Sequence, residues 1–401
     1  MSFQQALSGL NAASKNLNAI GNNVANANTV GFKQSQVQFS DVYANSLNGG
    51  GGSQIGIGVK VAEVAQQFTQ GNITATNSPL DIAINGGGFF RMDTNGEATY
   101  QRNGQFQLDR DGFIVNSSGA KLTGYAANAS GVLLTGSVAP LSINTADLAP
   151  QFTTTVNAVL NLDSRAVPPV LAFNMNDPLT FNNSSAVSVF DSLGNSHTLQ
   201  TFYVKTGPNA WDVHASLNGA PSFPAGAFTF DATGALTAGS PITIPPQTLT
   251  TGASPLGFPI DFTGTTQFGS TFSVNTLSQD GYTSGRLGGF NIGADGIILG
   301  RYTNGQSAVL GQVVLANFAN PNGLQQLGNN QWAETSTSGT PLVGSPSSGS
   351  LGVLQSSAVE DSNVDLTAEL VNMIVAQRVY QANAQTIKAQ DAVLQTLVNL
   401  R

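Results

Sequence analysis

The strongest constraint on this 401-residue chain is that its apolar residues are spaced one way at both ends and another way in the middle. Near the N-terminus, apolar or small residues alternate steps of four and three at Phe3, Leu7, Leu10, Ser14, Leu17, Gly21 and Val24. The same spacing returns near the C-terminus at Leu366, Leu370, Met373, Gln377, Tyr380, Ala384, Ile387, Asp391, Leu394 and Val398. Such spacing is typical of amphipathic helices. The sequence therefore predicts a helix at each end, the second about 35 residues and about 50 Å long.

Local side-chain chemistry predicts where these two helices end and begin. The asparagine-rich segment 22–28, followed by Gly31, favours turns over helix, so the first helix should stop there. Ser362 and Asp365 lie three residues apart just before the second apolar stripe. This spacing predicts a capping box at the start of the second helix.

The second helix carries a further apolar row at Val371, Val375, Ala382, Ala389, Val393, Leu397 and Leu400. One partner helix covers one side of it, so we expect several neighbours, supplied by many copies of the same chain. Both ends would then be mobile in the monomer and ordered in the assembly. The residues predicted to carry self-association are Phe3, Leu7, Leu10, Leu17, Val24, Leu366, Leu370, Met373, Tyr380, Ile387, Leu394 and Val398.

Between the two ends the apolar pattern changes to period two, with turn residues every eight to twelve positions. Asn103-Gly104 and Asp111-Gly112 are typical hairpin signals. The predicted fold class is α+β and mostly β, with long N- and C-terminal helices forming a coiled-coil core domain and two nested antiparallel β domains. The predicted divisions are residues 1–24 with 362–401 as the coiled coil, 25–70 as a flexible connector, 71–147 with 280–358 as one β domain, and 148–279 as an inserted outer β domain.

Composition narrows the possible functions. Only 9% of the residues are charged, the formal net charge is −8, and the few basic residues lie singly, which argues against a nucleic-acid partner. With no cysteine and two histidines, His197 and His214, we expect no metal site and no catalytic residue. The aspartates sit mostly in turn contexts, and the clusters Gly49–Gly52 and Gly86–Gly88 lack the pattern of a phosphate loop, so no cofactor is predicted.

The first ten residues lack the basic and apolar regions of a cleaved signal peptide, and no run of 18 apolar residues occurs. We therefore expect no membrane insertion. If the chain leaves the cell, it should do so by a route that cleaves nothing.

Both ends of the chain resemble the bacterial flagellar rod and hook proteins. The N-terminal resemblance rests on Asn22, Asn23, Asn26, Thr29, Gly31, Phe32 and Lys33. The C-terminal one rests on Ser362 to Arg378, continued by Tyr380 to Lys388. Shorter internal stretches, 56–61, 88–90, 102–106 and 311–318, are also similar to this family. Rod proteins of the family lack a large insert, so the segment 148–279 points to the hook branch.

The resemblance implies a structural subunit of the extracellular flagellar hook, not an enzyme. Subunits would stack into a curved tube that acts as a universal joint between rod and filament. The implied partners are copies of the chain itself, the distal rod, the hook cap, the hook-filament junction protein and the flagellar type III export apparatus. Phe39 and Tyr43 are similar to an aromatic pair proposed for recognition by the export gate.

Two further hypotheses remain open from the sequence. Residues 25–70 should form the compliant connector of the tube, and replacing Gly49–Gly52 by prolines should stiffen or straighten it. The near alternative is a distal rod-type axial protein, and the distant one is a surface-exposed β protein that binds glycans.

Overall fold

A computed structural model describes residues 2–42, 56–128 and 130–399. These residues form two compact units. Unit 1 comprises Met1–Asn144, Gly289–Gly300 and Ser307–Arg401 so far as they are described, and unit 2 comprises Thr145–Gly288 and Arg301–Gln306. Unit 2 extends beyond the predicted insert 148–279 at both ends, because the backbone of Leu148 pairs with that of Gly285 and Arg286 hydrogen-bonds with Thr303.

The first part of unit 1 contains α1 (Ser2–Ala25), β1 (Ser35–Val42), β2 (Gly58–Gln66), β3 (Ile73–Ala75), β4 (Ile82–Asn85), β5 (Phe89–Thr94), β6 (Glu97–Gln101), β7 (Gln107–Leu108), β8 (Ile114–Val115), β9 (Lys121–Ala126) and β10 (Ala139–Pro140). Its last part, after unit 2, contains β21 (Leu287–Ile292), β22 (Ile297–Tyr302), β23 (Ser307–Val313), β24 (Leu315–Asn317), β25 (Gln325–Gly328), β26 (Gln331–Ala333), β27 (Leu342–Gly344), β28 (Val353–Ser356), β29 (Ala358–Glu360) and α2 (Leu366–Asn399). The ends of β21 and β22 nearest unit 2 belong to that unit.

Unit 2 contains β11 (Val156–Asp163), β12 (Asn183–Phe190), β13 (Ser196–Gly207), β14 (Ala210–Leu217), β15 (Phe223–Phe230), β16 (Leu236–Ala238), β17 (Ile242–Gln247), β18 (Leu256–Asp261), β19 (Thr266–Phe268) and β20 (Ser273–Gln279). The described chain is thus mostly β with a helix near each end, as predicted.

The strands of unit 1 come from distant parts of the sequence. Its largest sheet follows the order β21-β22-β23-β9-β5-β6-β26-β25, so strands from before and after unit 2 alternate in it. Two small sheets, β3 with β29 and β4 with β28, tie the beginning of this β region to the segment that precedes α2. A cluster of buried rings lies in the large sheet, where Phe89 meets Trp332 and Phe318 edge to face. The β3–β29 and β4–β28 pairs fix the segment that leads into α2.

Unit 2 is built from two five-stranded sheets that share one apolar core. One sheet has the antiparallel order β12-β13-β14-β15-β16. In the other, β11 pairs antiparallel with β20 but parallel with β18 and β19. The prediction that both β domains are antiparallel is therefore wrong for this sheet. Parallel strands need a long crossover connection, which here is the segment 163–256 between β11 and β18. Such a pairing leaves no local turn signal in the sequence.

The segment predicted to be an unpatterned connector contains regular structure. β1 and β2 form an antiparallel pair from Ser35 opposite Gln66 to Val42 opposite Gly58, and both strands pack on α1. Few apolar residues of this pair are buried, so its strands lack the clear alternation that identifies a half-buried strand. Gly49–Gly52 and Tyr43 lie outside the described residues.

Candidate functional site

The two terminal helices pack side by side and run antiparallel. A Cβ atom added at Gly9 of α1 would lie 2.8 Å from Oδ1 of Asn383 in α2. Fourteen residues further along α1, Asn23 Nδ2 donates to Glu369 Oε2 at 3.2 Å, and Glu369 lies fourteen residues earlier in α2 than Asn383. The register is therefore the same at both points.

The side of α1 that packs inward carries small and polar residues. Its buried or half-buried members repeat in steps of three and four at Ala6, Gly9, Ala13, Asn16, Ile20 and Asn23. The corresponding stripe on α2 contains Glu369, Met373, Ala376, Asn383, Ile387 and Gln390. Small side chains let the two helix axes approach closely. This stripe of α1 lies one position away from the predicted apolar seam, because close packing selected the small residues and left the large ones outside.

Most of the residues predicted to carry self-association lie on the outside of the helix pair, whereas Met373 and Ile387 belong to the inner stripe of α2. Exposed members are Phe3, Leu7, Leu366, Leu370, Tyr380 and Leu394. Half-buried members are Leu10, Leu17, Val24, Met373 and Ile387. Val398 lies outside the residues whose side chains the structure describes.

Two apolar rows run along the exposed surface of α2. The first row is Leu366, Leu370 and Ile374, and the second row is Val371, Val375 and Val379. Within each row the residues are four apart, so they lie on successive turns of the helix. Every one of these side chains is between 45% and 56% exposed. A contiguous apolar surface of this kind is typical of a protein interaction site.

A buried ion cluster joins the beginning of β1 to the end of β29. Lys33 Nζ donates to Glu360 Oε1 at 2.6 Å and to the Thr69 carbonyl at 2.7 Å. Arg102 Nη1 donates to Glu360 Oε2 at 3.2 Å. The Lys33 and Glu360 side chains are fully buried. Burial lowers the pKa of Lys33 and that of Arg102, and the Glu360 carboxylate opposes the shift in both.

A second polar cluster holds the start of α2 against α1. The buried Glu369 carboxylate accepts from Asn23 Nδ2 and, at 2.8 Å, from Gln34 Nε2. Asn23 also exchanges two hydrogen bonds with the backbone of Ser35. Asn363 Oδ1 accepts from the Gln34 backbone N–H at 2.8 Å. Between them, these bonds fix the angle at which both helices leave the β region.

The predicted capping box at the start of α2 is wrong in its residues. The first residue of α2 is Leu366, so Asp365 is the N-cap, and its Oδ1 accepts from the backbone N–H groups of Thr367 and Ala368. Ser362 Oγ accepts from the Val364 N–H, before the helix begins. Aspartate is as good a cap as serine, and the spacing alone could not choose between the two positions.

The N-terminal signature residues divide into a local group and a long-range group. Asn22, Asn26 and Thr29 bond to one another and form the turn that ends α1. Gly31 has φ +71°, its N–H donates to the Glu360 carbonyl, and a Cβ there would lie 2.5 Å from the Asn103 nitrogen. Phe32, Asn23 and Lys33 are buried.

Sequence reasoning did not single out Glu360, Arg102 and Glu369 as functional residues. The available signal was scarcity, because the chain has only five glutamates, at 63, 97, 334, 360 and 369. A charged residue in so charge-poor a chain is a candidate for a specific partner. Of the predicted aromatic pair, Phe39 lies on β1 and is 44% exposed.

Both histidines of the described chain make structural contacts. His197 Nε2 lies 3.0 Å from Oδ2 of the buried Asp191, and its Nδ1 lies 2.7 Å from Asn218 Nδ2. His214 stacks on Phe173 at 4.0 Å between ring centroids. In the ranges that the structure describes, no group of three His, Cys, Asp or Glu side chains could hold a metal ion. Neither described helix has the length and apolar character needed to cross a membrane.

Comparison with known proteins identifies the family. The chain is 45% identical to the flagellar hook protein FlgE of Salmonella typhimurium strain LT2 over 411 aligned residues, which cover all of both chains. It is 43% identical to the flagellar hook protein FlgE of Escherichia coli K12, again over the whole of both chains. The chain belongs to the flagellar hook protein FlgE family.

Four family models match successive parts of the chain. They are the flagella basal body rod protein model over 3–33, the flagellar hook protein FlgE/F/G D1 domain over 83–156, the flagellar basal body protein FlaE D2 domain over 161–282, and the flagellar basal body rod FlgEFG protein C-terminal model over 355–400. The three members of the ion cluster fall in three of these matches, Lys33 in the first, Arg102 in the second and Glu360 in the last.

A solved hook protein has a related fold. The crystal structure of Helicobacter pylori flagellar hook protein FlgE2 superimposes with a TM-score of 0.53 and 14% identity, covering 72% of this chain and 99% of that one. At this identity the likeness shows the fold alone. It agrees with the mostly β architecture of the FlgE family.

Proposed function

We propose that this chain is the structural subunit that self-assembles into the curved tubular flagellar hook, a flexible universal joint that passes torque from the rod to the filament. Membership of the FlgE family supports the location in the extracellular hook of the basal body. The proposed partners are the distal rod, the hook cap, the hook-filament junction protein and the type III export apparatus. The proposed export removes no signal peptide.

The observation that carries self-assembly is the exposed apolar surface of α2. α1 covers one stripe of α2, and both apolar rows of α2 remain outside. Burying a Val or Leu side chain is worth roughly 1.5 to 3 kcal/mol relative to leaving it exposed. Copies that packed these rows against one another would gain about half of that energy for each side chain, since the side chains are about half exposed, and α2 would lie at the densest part of the assembly.

We infer a coiled-coil core from the same helices. The antiparallel register at Gly9 and Asn23 and the three-and-four spacing of both inner stripes support knobs-into-holes packing. In this proposal small and large residues make different contacts. Small residues pair α1 with α2 inside one chain, while large residues such as Phe3, Leu7 and Leu370 make contacts between chains.

Weak contacts between the β regions of neighbouring copies would let the tube bend. Few charged residues and many amides and hydroxyls give surfaces that exchange protein contacts for water contacts with little net change in free energy. The connector hypothesis for residues 25–70 stays a proposal. Its described part would act through the packing of β1 and β2 on α1.

The test measures polymer formation by the full chain. Leu370→Ser with Ile374→Ser removes the first apolar row, and Val371→Ser with Val375→Ser removes the second. We expect each pair to lower the sedimentable fraction at least tenfold under salting-out conditions, because burying the exposed half of the two side chains in the polymer is worth roughly 1.5 to 3 kcal/mol. The thermal midpoint of the monomer should change little, since these side chains are already exposed in it.

Val170→Ser in unit 2 is the matched control, because this valine is 99% exposed and lies outside the helices. It should polymerise normally. Undiminished polymers from both row variants would refute the proposal. Straight, stiff tubes that persist after deletion of 148–279 would favour the rod-type alternative, and saturable sugar binding by monomers would favour the glycan-binding one.

A further inference from the structure

A groove in unit 1 runs along α1, between α2 on one side and the β1–β2 pair on the other. Its floor is the small-residue surface of α1 around Ala12, Ala13 and Asn16. Phe39 belongs to one wall and Val375 to the other. The cavity measures about 620 Å³. That volume is in the range of ligand sites, which is roughly 300 to 1,000 Å³, and far above ordinary packing voids.

The groove is uncharged at its surface. Glu369 is the one ionisable side chain among its described lining residues, and it is buried and accepts hydrogen bonds from amides. Exposed valines and Phe39 alternate with amide groups around the rest of the lining. An occupant of matching chemistry is an apolar helix without charges, which could lay its apolar side into the groove.

The chain carries such a helix segment where α2 extends past α1. At the observed register, Ser2 of α1 is level with residue 390 of α2, so residues 391–399 continue beyond it. We call residues 392–399, which follow Asp391, the α2 overhang. Between Asp391 and Arg401 the sequence contains no charged residue. Its spacing of apolar residues, Leu394, Leu397 and Val398, is the i, i+3, i+4 pattern of a helix that binds in a groove.

The exposure of Leu394 follows from this overhang. Leu394 lies eighteen residues, or five helical turns, beyond the buried Ala376, so both lie on the same side of α2. At Ala376 that side is covered by α1, whereas Leu394 is 54% exposed because α1 has ended. The stripe that pairs with α1 thus continues into a part of α2 that α1 does not cover, and Leu394 there stays half exposed among the residues that the structure describes.

We propose that the α2 overhang of one copy occupies the groove of a second copy. This inference rests on the proposed self-assembly and names the contact through which one copy follows the next. The donor segment and the acceptor groove are different surfaces, so the contact is heterologous and generates an open helical array when repeated. It also gives Phe39 a role as a wall of the acceptor groove and buries Val375 and Val379.

The occupant must come from another copy because the overhang cannot reach its own groove. Asn16 on the groove floor is level with Ala376, and Leu394 lies eighteen residues further along the same straight helix. That separation is about 27 Å. A disulfide requires Cα atoms within about 7 Å.

Cross-linking tests this contact directly, since the chain has no cysteine of its own. Full-length Asn16→Cys and Leu394→Cys chains are mixed, polymerised and oxidised, and the linked dimer is measured by non-reducing electrophoresis. We expect at least tenfold more dimer than from a mixture of Gln377→Cys and Leu394→Cys. Gln377 is the matched control because it lies at the same level of the helix pair, is exposed and does not line the groove.

The possible outcomes distinguish failure of the groove contact from failure of self-assembly. Polymers that link 377 to 394 as well as or better than 16 to 394 would overturn the groove contact and leave self-assembly intact. Absence of polymers from the unmodified chain would refute the proposed function itself. If Asn16→Cys alone blocks polymerisation, Phe39→Cys in the groove wall replaces it, and failure of 39 to link with 394 in formed polymers also overturns the inference.

Discussion

The sandwich of unit 2 and the helix pair of unit 1 bury opposite kinds of side chain. Unit 2 encloses a continuous apolar core between its sheets, including the fully buried Trp211, Tyr203 and Phe228. The inner side of the helix pair is mostly small and polar, with Gly9, Asn23 and the buried Glu369, and contains a few larger apolar residues such as Ile20. The difference teaches that unit 2 derives its stability from its own core, whereas the helices keep their large apolar residues available for other molecules.

The two regions also use charge differently. In the helix-bearing unit, Glu360 is buried with two cations and connects segments more than 250 residues apart. In unit 2, several aspartates accept hydrogen bonds from turns, and their pKa values are lowered: Asp163, Asp191, Asp231, Asp261 and Asp280. Long-range ion pairing therefore joins the segments that lead to the two helices, while local carboxylate bonding shapes the turns of unit 2.

The largest expected effect comes from Glu360→Ala, which leaves Lys33 and Arg102 buried without their carboxylate. Removing one partner of a buried ion pair costs about 3 to 5 kcal/mol. We expect unit 1 to unfold at lower denaturant concentration and unit 2 to be unchanged. The two tryptophans report the units separately, Trp332 in unit 1 and Trp211 in unit 2, in single-tryptophan backgrounds.

The exposed Glu97 of unit 1 supplies the control, because Glu97→Ala removes the same charge without leaving buried cations. Its unfolding midpoint should stay close to that of the parent chain. Equal losses in the Trp332 and Trp211 signals after Glu360→Ala would contradict the assignment of this cluster to unit 1.

The next largest effect is a loss of stability of unit 2 in acid, which involves Asp191. Burial alone would raise the pKa of Asp191, but hydrogen bonds from Asn195, His197 and Leu193 outweigh it and hold the pKa below its usual range. The folded carboxylate thus binds a proton less tightly than the unfolded one, whose pKa is about 3.9. Its stabilisation is present above about pH 4 and is lost as the pH falls further.

The thermal midpoint followed through Trp211 should therefore fall as the pH drops below about 4, and it should fall more than the midpoint followed through Trp332. Asp191→Asn should cost about 2 to 3 kcal/mol at neutral pH, because donors that faced a carboxylate oxygen then face an amide. It should also flatten the acid slope of the Trp211 signal. An unchanged slope in this variant would assign the acid sensitivity to other carboxylates.

The smallest expected loss is that of Gly31→Ala, which tests how closely the N-terminal signature packs. The positive φ and the approach to the Asn103 nitrogen should together cost about 1 to 3 kcal/mol. Gly21→Ala is the matched control, since a Cβ there meets no atom within 4 Å inside α1 and should stabilise the helix slightly. Equal stability of the two variants, measured by denaturant unfolding, would show that Gly31 is not constrained.

Much of the fold could be predicted from local pattern. Both helices, the end of α1 after Val24 and the β character of the middle all follow from spacing and turn residues. The parallel pairing of β11 with β18 and β19 could not be predicted, because it is decided by which strands meet after a long crossover. The β1–β2 pair was missed because a strand with few buried side chains shows little alternation.

For the candidate site, the sequence identified the two helices but did not indicate which residues of α1 pack against α2. Large residues such as Leu7 define the most apolar seam, yet close packing of α1 on α2 selected Gly9 and Ala13 instead. Likewise, the Asn-rich turn was recognisable by its residue types. Its bonds to Ser35 and Glu369 were not, since they join residues far apart in the chain.

By itself, the sequence determined the periods of the elements, the places where they end and a shortage of charge that excludes many kinds of site. Those properties depend on residues that are neighbours in the sequence, so the sequence shows them directly. Only the tertiary structure decided that Glu360 meets Lys33 and Arg102, and which side of each helix is covered. The physical reason is that burial and ion pairing depend on distances in space, which for these residues are set by strands contributed from both ends of the chain.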